Sequence, residues 1–354
     1  MSASEESIES APLPEDIALR ARDLTVQYGR TPVPGRRDSP EPVRAVDHCS
    51  FELRRGECLG LIGESGSGKS TLGYALINLV PPPGRVTAGS IAVPQVGDLA
   101  KLSPSQWQRV RGSAVGMVFQ GAQSMFSPLM TIERQFVDIL RSHGRDLRDG
   151  MDEARQLLRQ ARLDDDRVLS AYPHELSGGM RQRVAIVSSV MLHPRVLILD
   201  EPTTALDAVS QAKVLAMLRD LRRQFALSML LITHDFAVAS NVSDRLAVMY
   251  AGELVELGPA GDLYRRPRHP YTQGLVAAVP SLHGPRIERA ALLTGYPPDL
   301  RDLPRGCRFA PRCRFAEVAC HGAPPPFEAT GEEDRAVRCI RWRVVTDGGG
   351  GDGR

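Results

Sequence analysis

Gly63-Glu64-Ser65-Gly66-Ser67-Gly68-Lys69-Ser70, followed by Thr71, has the spacing GxxxxGK[ST]. The apolar run Leu59–Ile62 precedes it and the helical pattern Thr71–Leu79 follows, so it joins a strand to a helix. In that setting the glycines let the backbone wrap a phosphate, with amide N–H groups and the helix N-terminus turned toward it. Lys69 is placed to reach the β- and γ-phosphates, and the Ser70 hydroxyl to bind Mg2+. A glycine-rich turn that binds nothing is the bland alternative, and the flanking strand and helix speak against it. The stretch predicts a nucleoside triphosphate site.

Working outward, Val196-Leu197-Ile198-Leu199-Asp200-Glu201 reads as a buried strand ending in two adjacent carboxylates. Neighbours on a strand point to opposite faces, so the two acids should differ in role. Asp200 is expected to hold Mg2+ through water, and Glu201 to orient and deprotonate the attacking water. Such a pair alone is weak; beside a full phosphate loop it is strong. Further strand-length runs are Ile17–Tyr28, Ala45–Leu53, Cys58–Ile62, Val115–Phe119, Met229–Thr233 and Leu246–Tyr250. Helical patterns such as Glu153–Arg162 and Val209–Gln224 alternate with them, which argues for an α/β fold with a parallel sheet and helices on its faces. A helix-rich lobe is expected over about 125–180, and a surface loop over the polar, Pro-rich Arg30–Val43.

Leu176-Ser177-Gly178-Gly179-Met180-Arg181-Gln182-Arg183 resembles the signature sequence of ATP-binding cassette (ABC) ATPases. Ser177 and the two glycines would open a helix whose N-terminus can receive a γ-phosphate. Other elements of that family follow in order over residues 17–258. The resemblance implies that Tyr28 stacks on adenine. Gln120, after Val118-Phe119, would sense Mg2+ and the γ-phosphate and couple to membrane subunits. Asp207 in Ala205-Leu206-Asp207 resembles the D-loop, and His234 after Thr233 the switch histidine. In the family two cassettes dimerise head to tail, so Ser177, Gly178 and Gly179 would act on the partner's nucleotide. The implied ATP site is therefore Tyr28, Gly63 through Thr71, Gln120, Asp207 and His234 with that signature. Lys69, Gln120, Glu201 and His234 would be catalytic, and Ser70, Gln120 and Asp200 would hold Mg2+. The implied fold is a P-loop core with an antiparallel β portion, a helical lobe and a small C-terminal Cys-rich module.

Three stretches narrow the resemblance to the ATPases of bacterial dipeptide, oligopeptide and nickel importers: the phosphate loop, Tyr172-Pro173-His174-Glu175 leading into the signature, and Arg268-His269-Pro270-Tyr271-Thr272. Beyond Pro259 prolines and arginines become frequent, and Cys307-x5-Cys313-x6-Cys320-x18-Cys339 appears. Four thiolates can hold Zn2+ or an iron–sulfur cluster, or stay unligated. Zinc sites favour short CxxC pairs, which are absent here. Some members of the importer group bind a [4Fe-4S] cluster at similar spacing, so the resemblance implies that group on these cysteines. Cys49 and Cys58 fall in strand patterns and read as core. Two departures stand out. Gly121–Pro128, which in relatives faces the membrane subunits, differs from their pattern, and Arg314 follows Cys313 where they often have proline.

The chain has 354 residues, 42% apolar and 24% charged, enough for a large core without staples. Its 44 basic and 42 acidic residues leave +2, so bulk charge gives no reason to expect nucleic acid. No run approaches ~18 apolar residues, and the first sixteen residues are acidic without a base, unlike a secretory signal. The expected division is a disordered tail 1–16, a cassette 17–259, an importer-type module 260–342 and a disordered tail 343–354. Two permease subunits, a second and non-identical cassette and an extracytoplasmic solute-binding protein are the implied partners, at the cytoplasmic face of the inner membrane. A cassette acting in DNA repair or translation would usually carry a long coiled coil or two cassettes, and neither pattern is seen. A non-hydrolytic regulatory cassette would be expected to have lost Glu201, His234 or the signature.

Overall fold

The computed structural model describes residues 13–29, 42–121, 125–279 and 293–347. The expected tails at 1–12 and 348–354, most of the Arg30–Val43 loop, and 122–124 of the departing segment lie outside them.

The chain begins with β1 (Ile17–Tyr28), β2 (Val43–Arg54) and β3 (Cys58–Ile62), then α1 (Lys69–Leu76), β4 (Arg85–Val93) and β5 (Gly97–Asp98). β2-β1-β4-β5 form an antiparallel sheet. In β2, Cys49, Phe51 and Leu53 are buried while His48 and Ser50 are exposed. That period of two marks a sheet with one covered face. The buried side of this sheet packs Leu24, Val26 and Phe51 with Leu72 and Leu76 of α1. Trp107 joins them from α2 (Pro104–Val110), which Ser103 opens with a capping box.

β6 (Val115–Val118) enters the second sheet and leads to the helical lobe of α3 (Ile132–Ser142), α4 (Leu147–Gln160) and α5 (Asp165–Ser170). α6 (Gly178–Val190), β7 (Val196–Asp200), α7 (Ala208–Phe225), β8 (Ser228–Thr233), α8 (Phe236–Val242) and β9 (Arg245–Tyr250) complete the alternation. Along the sheet β9, β3, β8, β7 and β6 are neighbours and run parallel. Every residue of β3, β7, β8 and β9 is buried, as parallel strands covered on both faces require. Helix starts are set by side-chain caps from Thr131, Asp146, Asp164, Ser177, Asp207 and Asp235. The Asp146 cap explains why α4 starts at Leu147, ahead of the apolar pattern at Glu153–Arg162.

β10 (Glu253–Pro259) folds back antiparallel on β9, and α9 (Ala260–Arg265) and α10 (Pro270–Ala277) follow. β11 (Glu328–Ala329) and β12 (Ala336–Val337) then extend the same sheet, with Val337 opposite Glu256 and Ala336 opposite Leu257. A short helix, α11 (Trp342–Asp347), stands where a disordered tail from 343 was expected. Its Val345 is buried, and the Arg268 guanidinium lies 4.4 Å from the Trp342 ring centre, which gives the segment an anchor.

At this junction Glu256 and Arg335, both 1% exposed at the side chain, form an ion pair at 3.2 Å. The Glu256 carboxylate also accepts the backbone N–H groups of Arg268 and His269, both at 2.9 Å. Replacing Glu256 with Ala leaves these buried donors unmet, and should cost about 3–5 kcal/mol in chemical unfolding. A loss below ~1 kcal/mol would show that the junction does not depend on it.

Candidate functional site

The parallel strands end in register. Ile62 pairs with Thr233, and Asp200 with Ile232, so Gly63, His234 and Glu201 leave the sheet side by side at its carboxyl edge. That edge is where open α/β sheets hold ligands.

The loop leaving β3 is built on glycine. At Gly68, φ is +102°, and a Cβ would lie 2.1 Å from the Ala45 carbonyl oxygen; at Gly63 it would lie 2.1 Å from that of Met249. Only glycine lets the backbone pass so close to these strands. Inside the loop the Lys69 ammonium donates to the carbonyls of Gly63 and Glu64, each at 2.8 Å, and to Ser67 Oγ at 3.3 Å. Burial lowers the pKa of this ammonium, and the charges of Glu201, Asp200 and Glu64 oppose the shift. Ser65, Gly66 and Thr71 complete the loop and the opening turn of α1, whose first residues are Lys69 and Ser70.

The two adjacent acids sit in different surroundings. Ser70 Oγ donates to Asp200 Oδ1 at 3.0 Å, while Asp200 Oδ2 is buried with no hydrogen-bond partner. Burial raises the Asp200 carboxyl to about 6, against the lowering effect of the Ser70 bond. A hydroxyl beside a carboxylate with a free buried oxygen is a donor set that suits Mg2+, which is bound by one or two protein oxygens with water and phosphate. Glu201 sits at φ +49° just past the strand. Its Oε2 accepts from Thr204 Oγ1 at 2.7 Å, and its Oε1 lies 3.0 Å from His234 Nδ1. Burial pushes the Glu201 pKa up, but the Thr204 and His234 hydrogen bonds and the His234 and Lys69 charges outweigh it. The carboxyl is held below its ordinary value.

Gln120 follows β6, whose Val118 pairs with Leu199 of β7, and Phe119 before it stacks on Tyr74 of α1 at 5.9 Å. Tyr28 closes β1 opposite Val43, on the β2 stretch that meets Gly68. Ser177 caps α6, accepting the Met180 N–H at 3.3 Å with Gly178 and Gly179 in the first turn. Beside Gly179 stands Ser210 of α7, whose N–H and Oγ both donate to Asp207, at 2.9 and 2.7 Å. The signature helix tip and the D-loop thus lie side by side. Thr204 was not singled out from the sequence; its spacing three residues after Glu201 is the only local signal. Glu64 faces elsewhere than a phosphate would require. Its N–H donates to Tyr271 Oη at 2.7 Å and its carboxylate receives the Arg312 guanidinium.

Cys307, Cys313, Cys320 and Cys339 line one cavity with His269, Phe309 and Phe315. Burial raises the Cys307 thiol to about 11 and the Cys339 thiol to about 12, so without a cation they stay protonated. Among the described residues, no group of three or more His, Cys, Asp and Glu side chains is arranged to hold a metal ion. Cys49 and Cys58 are buried in the strands, as expected.

Comparison with known proteins agrees with this geometry. Residues 46–204 match the ABC transporter family, and 255–320 match the oligopeptide/dipeptide transporter C-terminal region. The oligopeptide transport ATP-binding protein OppD of Salmonella typhimurium is 39% identical over 330 residues, covering 92% of this chain and 94% of that protein. The dipeptide transport ATP-binding protein DppD of Haemophilus influenzae is 37% identical over 323 residues, covering 91% and 94%. Among solved structures, a dimeric bacterial ABC transporter cassette superposes with TM-score 0.56 at 25% identity, covering 68% of this chain and 98% of that one. The phosphate loop, the acidic strand end and the capped signature helix thus sit in a chain that belongs to the ABC transporter family, as one of its ATP-binding, ATP-hydrolysing cassettes.

Proposed function

We propose that this chain couples ATP binding and hydrolysis to the uptake of di- or oligopeptides, or of a related solute such as nickel, through separate permease subunits. One observation carries the hydrolytic part: an ionised Glu201, clamped by Thr204 and His234, beside the Lys69 loop. The match of residues 255–320 and the relatives named for peptide transport support the solute class. They lend nothing to a role in DNA repair or translation.

In this reading the loop amides and the Lys69 ammonium neutralise the phosphates, and Tyr28 packs against the base. Ser70, Asp200 and Gln120 would hold Mg2+, which when bound offsets charge on the phosphates. Glu201 accepts a proton from the attacking water, while His234 and Thr204 fix the carboxylate that receives it. Gly178, Gly179 and the Ser177-capped end of α6 face a second cassette, where they complete its nucleotide site, with Asp207 at the same boundary. That second cassette is non-identical to this one. The other partners are two permeases and an extracytoplasmic binding protein, at the cytoplasmic face of the inner membrane. Among the described residues no helix is long and apolar enough to cross a membrane, which leaves the pore to those partners. Residues 17–259 act as the cassette and 260–342 as its importer-type extension. In that extension Cys307, Cys313, Cys320 and Cys339 would hold a [4Fe-4S] cluster, which when bound ties the segments together and can carry an electron.

Glu201→Gln keeps the shape of the side chain but removes its basic carboxylate. It should lower turnover about 10²–10⁴-fold while ATP binding persists. Undiminished hydrolysis would remove Glu201 from the mechanism. Protein purified without oxygen should contain iron and acid-labile sulfide, both lost in Cys313→Ser. Zinc in their place, or no metal, would refute the cluster.

A further inference from the structure

Glu64, the second residue of the phosphate loop, has each of its polar groups committed. Its carbonyl accepts from the Lys69 ammonium at 2.8 Å, its N–H donates to Tyr271 Oη at 2.7 Å, and its carboxylate takes a two-pronged bond from Arg312 at 2.7 and 3.0 Å. The first of these anchors the lysine that faces the phosphates. The other two come from beyond the cassette.

Arg312 is fixed at both ends. Its Nε donates to the Thr294 carbonyl at 2.8 Å, and its fork reaches Glu64 and, at 3.3 Å, Tyr250 Oη. The side chain is only 6% exposed, over the rings of Tyr250 and Phe309. A partly buried bidentate guanidinium–carboxylate pair is both strong and directional. Tyr271 is equally constrained. Burial holds the His269 pKa down at about 3, so the imidazole is neutral and its Nδ1 accepts the Tyr271 N–H at 3.0 Å. Tyr271 then packs at a tilt against Tyr250 and Phe309, with ring centres 4.6 and 5.5 Å away.

A second brace arises in the same seven-residue span, Cys307–Cys313. Arg308 donates to the Asp47 carboxylate and to the Ala251 carbonyl. The next residue, Gly252, donates its N–H to the Ser67 carbonyl at 2.9 Å, inside the phosphate loop.

We propose that Arg312 is a positioning residue for ATP: through Glu64 it sets the phosphate loop and the Lys69 anchor, so the C-terminal extension is a working part of the nucleotide site. The proposal rests on the loop being an ATP site, and a separate measurement isolates that premise. In the full-length protein, Lys69→Ala should abolish binding of a fluorescent ATP analogue; if it does not, the site assignment itself fails. Given that loss, Arg312→Ala and Glu64→Gln should each weaken the analogue about 5–20-fold, and KM for ATP should rise by a similar factor with kcat changed less than about threefold. The double variant should bind no more weakly than the worse single, because both act through one pair. Arg312→Lys, a point charge without the fork, should recover only part of the affinity. Affinity at the wild-type level in Arg312→Ala or Glu64→Gln would overturn the proposal. So would a double variant whose loss is the product of the singles. Should Arg312→Ala fail to fold, Glu64→Gln, which leaves the guanidinium in place, decides the matter by the same affinity reading.

Discussion

The register of three parallel strands is the constraint on which this structure depends. Because β3, β8 and β7 pair without a slip, the chain leaves the sheet at Gly63, His234 and Glu201 along one edge. A one-residue shift in any of them would turn the neighbouring side chains to the opposite face, parting Asp200 from Ser70 and Glu201 from His234. Strands buried on both faces by the helical lobe and the antiparallel sheet hold that register, so a large core fixes a small site.

Electrostatics at the edge then sorts similar groups into different tasks. Asp200 and Glu201 are adjacent in sequence, yet burial raises one carboxyl and hydrogen bonds lower the other. The first is suited to a cation that supplies the charge it lacks; the second is an ionised base at neutral pH. Lys69 sits among both and Glu64, held by the Gly63 and Glu64 carbonyls.

Much of this was legible in the sequence, because it resides in local spacing. The phosphate loop, the Val196–Glu201 strand end and the serine-capped signature each carry their geometry within about eight residues, and alternation of apolar runs betrayed the parallel sheet. What escaped depends on contacts between distant parts of the chain. β11 and β12 are too short to show a period; β12 joins β10 beside the buried Arg335–Glu256 ion pair, and β11 adds to β12. α11 hides in a polar, glycine-ended tail. The Arg312–Glu64 pair joins residues 248 positions apart, and nothing in the spacing of Cys307 and Cys313 suggests that the arginine between them faces the phosphate loop. The Arg268–Thr272 stretch carries the family resemblance in its sequence, while its physical task, presenting Tyr271 to a loop amide, depends on the fold.

The central claim is that nucleotide lies against the Gly63–Ser70 loop at this strand edge, and that a signature helix tip of the neighbouring cassette closes over it. Ultraviolet cleavage of the assembled transporter loaded with Mg2+, ADP and vanadate, read by mass spectrometry, tests it most directly. Backbone scission is expected within Gly63–Ser70 of this chain and at the signature helix tip of the neighbouring cassette. Scission confined to other segments, or at the loop with the signature untouched, would contradict it.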